Sequence, residues 1–504
     1  MLKISAIFLF SIVLLVNAVH FGLVFWFLMQ LKQKKPAPVS RFDGAVPRAA
    51  IFLTLRGADP FLERCVRGLL TQDYPNYAVF FILDHETDPA FPIVQEIVRQ
   101  YPERECRLLT VPHHRMTCSL KCDSLSFAAE SLPPEFQLIV TVDSDTTPHA
   151  GWLRELLEPF SDPQTAAVSG IRWYLPASAS WGTLVRALWN TAAVFQQILT
   201  CIPWGGSMAI RREVLWDGGL LEVWKHSFAD DVPVFRAVQK LGKRVRFIPA
   251  LLMVNREECT LSDFFSWVQR QLLCPKLSHP RWSLLLLHGF FLSAPLLAAL
   301  GVGLQALRIH EYTASLWAFG AFALYPLGVL AAFGIVSQSV DRFLQLRGET
   351  IPQRSLYFLF KTLLAIPLTQ LLYTCALLNV FRLKKVTWRE SAMKWGLPTR
   401  SAFWSTVPTQ KSRNVTIPLN FRPSRTLTQK KMDPLHHSAF HDFGSILFAS
   451  GSLPRKTRSP KTRSPQKAKI SAAGRTGLVS GWILGEKFSH FRAETSAGWS
   501  LHGQ

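Results

Sequence analysis

Four long, almost charge-free apolar segments constrain this 504-residue chain more than any other feature: about Ile4–Met29, Trp282–Leu307, Tyr312–Val336 and Leu356–Phe381. Each reaches the roughly 20 apolar residues that cross a bilayer as a helix. The first has a basic start at Lys3 and a small-residue stretch at Val16, Asn17 and Ala18, as a signal peptide would. Its length and its flank of Lys32, Lys34 and Lys35 fit a retained anchor better. The chain therefore divides into an anchor (1–30), a polar domain (45–280), further membrane helices (281–385) and a basic tail (400–504).

Lys32, Lys34, Lys35, Arg41 and Arg48 follow the first span, so the positive-inside rule places the polar domain in the cytosol. A conflict follows. Three further crossings would carry Arg382, Lys384 and Lys385 to the opposite side, so one of the three segments is expected to be re-entrant or interfacial.

The formal net charge of +22 is unevenly distributed. From Arg382 onward there are 22 Lys and Arg against 5 Asp and Glu. That stretch also repeats Lys456-Thr-Arg-Ser-Pro directly as Lys461-Thr-Arg-Ser-Pro, a composition expected to stay disordered. Basic residues beside a membrane attract anionic head groups, which accounts for the charge. No aromatic-studded basic sheet or recognition helix accompanies it, so nucleic acid is not an expected partner. The eight cysteines show no paired framework and are expected to be reduced in a cytosolic domain. His113, His114, Cys118 and Cys122 lack Cys-x-x-Cys spacing, and a loop running into a helix explains them as well as zinc does. Asn414 opens a glycosylation sequon, with nothing to place it in a secretory lumen.

Within the polar domain, apolar runs alternate with segments of helical periodicity. Strands are expected at 47–56, 78–83, 106–111 and 136–142, and helices at 59–70, 91–101 and 125–132. Such alternation implies a parallel sheet covered by helices. The run Phe136–Val142 stops abruptly at Asp143-Ser144-Asp145. In open α/β sheets ligands bind at the carboxyl ends of strands. Two carboxylates one residue apart can hold a hard divalent cation that also bridges a diphosphate. Further on, Asp230 and Asp231 precede a helix expected at 232–241.

Arg56-Gly-Ala-Asp59-Pro, Gln72-Asp-Tyr-Pro75-Asn-Tyr, Asp88-Pro-Ala, Asp143-Ser-Asp145 and Ala229-Asp230-Asp231 together resemble the family 2 glycosyltransferases, and within them the ceramide glucosyltransferase-like branch. The resemblance covers about residues 45–280. It implies a GT-A fold, a mixed sheet flanked by helices, joined to transmembrane helices. It also implies inverting transfer of a hexose, glucose first, from a UDP-sugar to the hydroxyl of a membrane lipid, with Mg²⁺ or Mn²⁺. By this resemblance Asp143 and Asp145 hold metal and diphosphate, and Asp88 lies near the base and ribose. Lys121 and Arg270 approach phosphate, and Arg56 belongs to the nucleotide side. Asp231 is the general base, with Asp230 in support. An Asp-Pro turn at Asp88, a solvated Lys121 and a helix cap at Asp230-Asp231 are the alternatives from local sequence. Gly205-Gly206-Ser207 resembles the acceptor-side turn, where glycine lets backbone approach a sugar.

Many relatives carry Gln/Arg-x-x-Arg-Trp before the second span; here Arg270 is followed by Leu273 and Cys274 at the Arg and Trp positions. The missing tryptophan is expected to remove an aromatic surface for stacking a sugar. This counts against the alternative of a processive polysaccharide synthase; a non-catalytic membrane scaffold is the other alternative. Trp181–Thr200 reads as an amphipathic helix, either on the bilayer surface beside the site or buried in a core. The expected location is a bacterial plasma membrane, with the catalytic domain cytosolic.

Overall fold

The computed structural model describes residues 1–31, 46–383, 385–388, 391–394 and 404–406. The repeat after Lys456, the sequon at Asn414 and the basic residues Lys32, Lys34, Lys35 and Arg41 lie outside them. In chain order, helix α1 (Leu2–Leu31) precedes β1 (Ala49–Leu55), α2 (Leu62–Leu70), β2 (Tyr77–Leu83), α3 (Ala90–Arg99) and β3 (Cys106–Thr110). Next come α4 (Leu120–Glu130), β4 (Leu138–Val142), α5 (Trp152–Leu157), β5 (Thr165–Tyr174), α6 (Trp181–Thr200) and β6 (Ser207–Arg211). The short helices α7 (Arg212–Trp216) and α8 (Leu220–Trp224), then α9 (Val234–Lys240) and β7 (Arg244–Asn255), complete the sheet domain. The remaining helices are α10 (Leu261–Ser278), α11 (Trp282–Arg308), α12 (Tyr312–Gln345) and α13 (Leu356–Arg382).

The seven strands run in the order β3-β2-β1-β4-β6-β5-β7. Strand β1 is parallel to β2 and β4, and β5 to β7, whereas β6 runs antiparallel to β4 and β5. The alternation-based expectation of a parallel sheet is therefore corrected by β6, and the mixed GT-A arrangement is what forms. Short, apolar β6 follows α6 through a tight glycine turn that brings the chain back antiparallel.

Alternate residues of β1 enter two different cores, as the period-2 geometry of a strand buried on both faces requires. Ile51 and Leu53 pack with Cys65, Leu69, Val94 and Trp152. Ala50 and Phe52 pack with Cys122, Leu125, Val214 and Trp224. The register Leu53↔Val142 and Leu55↔Leu83 brings the carboxyl ends of β1, β4 and β2 to one edge. The chain reverses its direction of travel across the sheet between β1 and β4, so a crevice opens there.

Helices α1, α11, α12 and α13 are each long and apolar enough to cross a membrane. The ends of α1 and α12 also grip the sheet domain. Phe27 and Leu31 of α1, with Val336, Val340 and Phe343 of α12, pack on Ile171, Trp173 and Leu252 of β5 and β7. Just beyond α12, Arg347 donates to Glu155 at 2.8 Å. Helix α6 is largely buried between the sheet domain and the long helices: Leu184, Val185 and Leu188 share a core with Phe264, Leu272, Leu292 and Ala365. It is a buried helix rather than one lying on a surface.

Both ends of α13 are tied to neighbouring helices. Before its first turn, Arg354 donates to Asp341 near the end of α12 at 3.0 Å. At its last turn, the Val380 carbonyl accepts from Lys276 of α10 at 2.6 Å. A re-entrant α13 would make such contacts at both ends. A single cysteine placed at Lys385 in a cysteine-free background is therefore expected to react with a membrane-impermeant maleimide from the same side as one placed at Glu103. Labelling from opposite sides would show that α13 spans.

Candidate active site

The strand-end edge collects the carboxylates. Asp143 directly follows β4. Its Oδ1 accepts from Lys121 Nζ at 2.7 Å and its Oδ2 from Arg172 Nη2 at 3.0 Å. Burial pushes this carboxyl up, but Lys121 and Arg172 outweigh it and hold it near 2. Asp145 is different. Its Oδ2 accepts from Asn255 Nδ2 at 3.1 Å, while Oδ1 is buried without a hydrogen-bond partner among the described residues. Burial raises this carboxyl, Arg172 offsetting only part of the effect, with Asp143, Asp59 and Glu257 adding to the rise.

Lys121 stands in the first turn of α4, whose N-cap is the Ser119 hydroxyl, accepting from the Cys122 N–H. Its ammonium also lies 3.0 Å from Asp230 Oδ2. Burial disfavours the charge on this lysine, but Asp143 and Asp230 outweigh it and raise its pKa. Lys121 is thus fixed between two carboxylates, and the alternative of a solvated surface lysine is set aside.

Asp231 faces an open cavity of about 780 Å³. Its Oδ2 accepts from the Gly205 N–H at 3.2 Å and its Oδ1 from the Val232 N–H at 2.7 Å. Burial and then the adjacent Asp230 push the carboxyl up to about 7, against Lys121 and the two backbone N–H groups. The following helix starts at Val234 with Pro233 as its N-cap, so neither aspartate side chain caps it. The Gly205-Gly206 turn has no room for a side chain: a Cβ at Gly205 would overlap Asp230 Oδ2, and one at Gly206 the Trp204 ring. Gly205→Ala is expected to cost about 1–3 kcal/mol of stability and to displace Asp230 and Asp231. Thermal melting and the pH–rate profile, read together, test both effects.

The cavity is lined by Trp189, Trp204 and Trp267 as well as Asp231, Arg172 and Cys274. Although position 274 is a cysteine, the cavity keeps an aromatic lining. Three indoles reach the same space from α6, the loop before β6 and α10, and a chain pattern cannot register side chains converging from such distant positions. The Trp204 indole N–H is buried without a hydrogen-bond partner among the described residues. Arg172 lies over the Trp204 ring at 4.6 Å. Arg172 was not singled out by motif; the available signal was the single charged residue in the strand Thr165–Tyr174. Arg270 sits on α10 one turn before Cys274, whose thiol donates to its carbonyl at 3.2 Å. Burial lowers its guanidinium pKa, and Arg172, Tyr174 and Asp143 are within electrostatic reach.

On the opposite flank, Arg56 donates to Asp84 Oδ2 at 2.8 Å. Gly57, with φ of +74°, makes the turn after β1. Asp88 supports that turn: both its oxygens lie 3.0 Å from the Gly57 N–H, and Oδ1 accepts from Ala90 N at 2.8 Å. The carboxylate directly at the end of β2 is Asp84. His114 bonds to Asp123 at 3.0 Å and to the Asp84 carbonyl at 3.1 Å, and Cys118 and Cys122 are buried.

The model of glycosyl transferase family 21 matches residues 11–399. The chain belongs to glycosyl transferase family 21. Among curated relatives of this family 21 chain, a ceramide glucosyltransferase of Komagataella phaffii is 29% identical over 114 residues, 23% of this chain and 21% of the relative. One of Gibberella zeae is 28% identical over 81 residues, 15% of each chain. The chain spans about a fifth or less of the length of these relatives in the matched regions. Among solved structures, the mannosyltransferase PcManGT of Pyrobaculum calidifontis, in complex with GDP-Man and Mn²⁺, is similar at 18% identity and a TM-score of 0.40. That likeness covers 74% of this chain and 99% of the other. Glucosyl-3-phosphoglycerate synthase of Mycobacterium tuberculosis is similar at 14% identity and a TM-score of 0.32, covering 48% of this chain and 85% of the other.

Proposed function

We propose that this family 21 protein transfers one hexose, glucose in the first instance, from a UDP-sugar to a hydroxyl of a membrane lipid. In this reading the anomeric carbon is inverted and the sheet domain faces the cytosol. The observation that carries it is Asp231: a carboxylate held near 7, open to an indole-lined cavity beside the long apolar helices. A general base is most effective when its pKa lies near the working pH.

Asp143, Lys121 and Arg172 form the leaving-group side. Asp231 accepts the acceptor hydroxyl proton, the new C–O bond forms, and the bond from the anomeric carbon to the diphosphate breaks. Lys121 and Arg172 then face the released negative charge. Arg56 and Asp84 flank the nucleoside end, with Asp88 acting through the Gly57 turn rather than by direct contact. Arg270 adds positive charge behind Arg172, and the unpartnered Trp204 N–H donates to a sugar hydroxyl.

The residues fit a divalent cation. The orphaned Asp145 Oδ1 is an oxygen that a cation would satisfy. Among the described residues no three His, Cys, Asp or Glu side chains converge. Asp143 and Asp145 would therefore hold Mg²⁺ or Mn²⁺ together with phosphate oxygens and water, the usual arrangement for a cation bound beside a diphosphate. Bound there, it would neutralise charge on the diphosphate.

Isothermal titration of the full-length protein with UDP separates enzyme from scaffold. The transferase reading expects UDP binding that requires Mn²⁺ and disappears with chelator. No binding by folded protein under either condition would favour the scaffold.

A further inference from the structure

Helix α12, long and apolar enough to cross a membrane, ends in a turn where the Glu349 N–H donates back to the Leu344 carbonyl at 3.0 Å. Arg347 and Glu349 leave this turn toward different partners. Arg347 is largely buried, with 14% of its side chain exposed, and its Cζ lies 4.6 Å from the centre of the Phe343 ring. It donates to Glu155 Oε2 at 2.8 Å and to His149 Nε2 at 2.7 Å. Burial, and then Arg347 itself, hold His149 down at about 3, so the imidazole is neutral and its Nε2 accepts. Glu349 Oε2 accepts from Arg256 Nη2 at 2.8 Å, and the Thr350 carbonyl accepts from the same nitrogen at 2.8 Å.

Both sets of partners belong to segments that place Asp145. His149 is in the loop that runs from Asp145 to α5, on which Glu155 stands, and Gln72 holds that loop by donating to the His149 carbonyl at 2.9 Å. Arg256 directly follows Asn255, whose amide donates to Asp145 Oδ2 at 3.1 Å. The turn after α12 therefore reaches Asp145 from two sides, each time through one intervening segment. Exposed ion pairs hold little, but a buried guanidinium with its two ends on different partners fixes direction as well as distance. Groups that orient a cation ligand are felt in affinity although they never touch the cation.

We propose that Arg347 is a positioning residue for the donor site: with Glu349 it fixes the two segments that place Asp145, and so makes the end of a long apolar helix part of the apparatus that binds cation and diphosphate. This rests on the reading of Asp145 as a cation ligand.

The test is a double-mutant cycle on the full-length protein in bicelles, read by isothermal titration with UDP in the presence of Mn²⁺ and by thermal melting. Arg347→Met should weaken Mn²⁺-dependent UDP binding at least about fivefold, just under the range for losing a direct partner of a metal ligand. Arg347→Lys keeps the charge without the planar fork and should recover part of the loss. In an Asp145→Asn background, Arg347→Met should change UDP affinity by less than about twofold, because the residue through which it acts is already altered. Glu349→Gln checks the other flank, with the same dependence on Asp145, and decides the matter alone if Arg347→Met does not melt cooperatively. A role confined to stability would lower Tm and leave the Mn²⁺-dependent affinity of folded protein unchanged. That result, or equal losses with and without Asp145, would overturn the proposal. The underlying reading fails in a different way: wild type that binds UDP equally well with and without Mn²⁺ removes Asp145 as a cation ligand, and the role of Arg347 with it.

Discussion

Replacing Asp231 with asparagine is expected to lower kcat by about 10²- to 10⁴-fold, the range for loss of a positioned general base, with donor KM little changed. Asparagine is nearly isosteric, but its single amide oxygen can accept from only one of the Gly205 and Val232 N–H groups, so retained UDP binding is the control for site geometry. The pH dependence gives the sharper signature. The base works only when deprotonated, so kcat/KM of the wild type should rise with pH to a plateau above about 7. In Asp231→Asn that limb should vanish. Stability should move the opposite way. A carboxyl raised in the folded state makes folding take up protons, so its penalty grows from the ordinary carboxylate range up to about 7 and is constant above it. The variant should therefore melt higher than the wild type at pH 8 and no higher at pH 4. Equal melting at both values would show that Asp231 is not strained in this way.

The two aspartates of Asp143-Ser144-Asp145 should respond differently to substitution. Asp143→Ala leaves Lys121 and Arg172 without the carboxylate between them, and breaking such a buried pair costs about 3–5 kcal/mol. Stability and UDP binding should be lost together. The Asp143 contribution is present at neutral pH, and the wild type loses it only as pH falls from the ordinary carboxylate range toward about 2. Asp145→Asn can keep its bond to Asn255, and among the described residues nothing hydrogen-bonds to Oδ1. It should retain or slightly raise Tm while Mn²⁺-dependent UDP binding falls at least tenfold, roughly the loss of one charged ligand. Thermal melts alongside titration with UDP and Mn²⁺ decide this; a pair of variants with the same phenotype would contradict the division of labour.

Much of this arrangement was legible from the chain alone. Apolar runs stopped at Leu55, Leu83 and Val142, within two residues of where the first strands end, because a strand buried on both faces must be continuously apolar. Asp143, Asp145 and Asp231 stood out by what surrounds them in sequence. What escaped was whatever tertiary convergence creates. Arg172 meets Asp143 across 29 residues, and Asn255 meets Asp145 across 110. Asp84 rather than Asp88 ends the β2 edge, a difference of four residues that depends on where the chain turns. Antiparallel β6 depends likewise on contacts that periodicity does not encode.

Asp231 is proposed to drive sugar transfer onto a lipid. The most direct measurement is transfer of radiolabelled glucose from UDP-glucose into the organic phase, by purified full-length protein supplied with extracted membrane lipids. A single-sugar lipid product that requires Mn²⁺ or Mg²⁺ and is nearly absent with Asp231→Asn is expected. Folded wild type that transfers sugar from neither UDP-glucose nor other UDP-sugars, or product formed equally by Asp231→Asn, would contradict it.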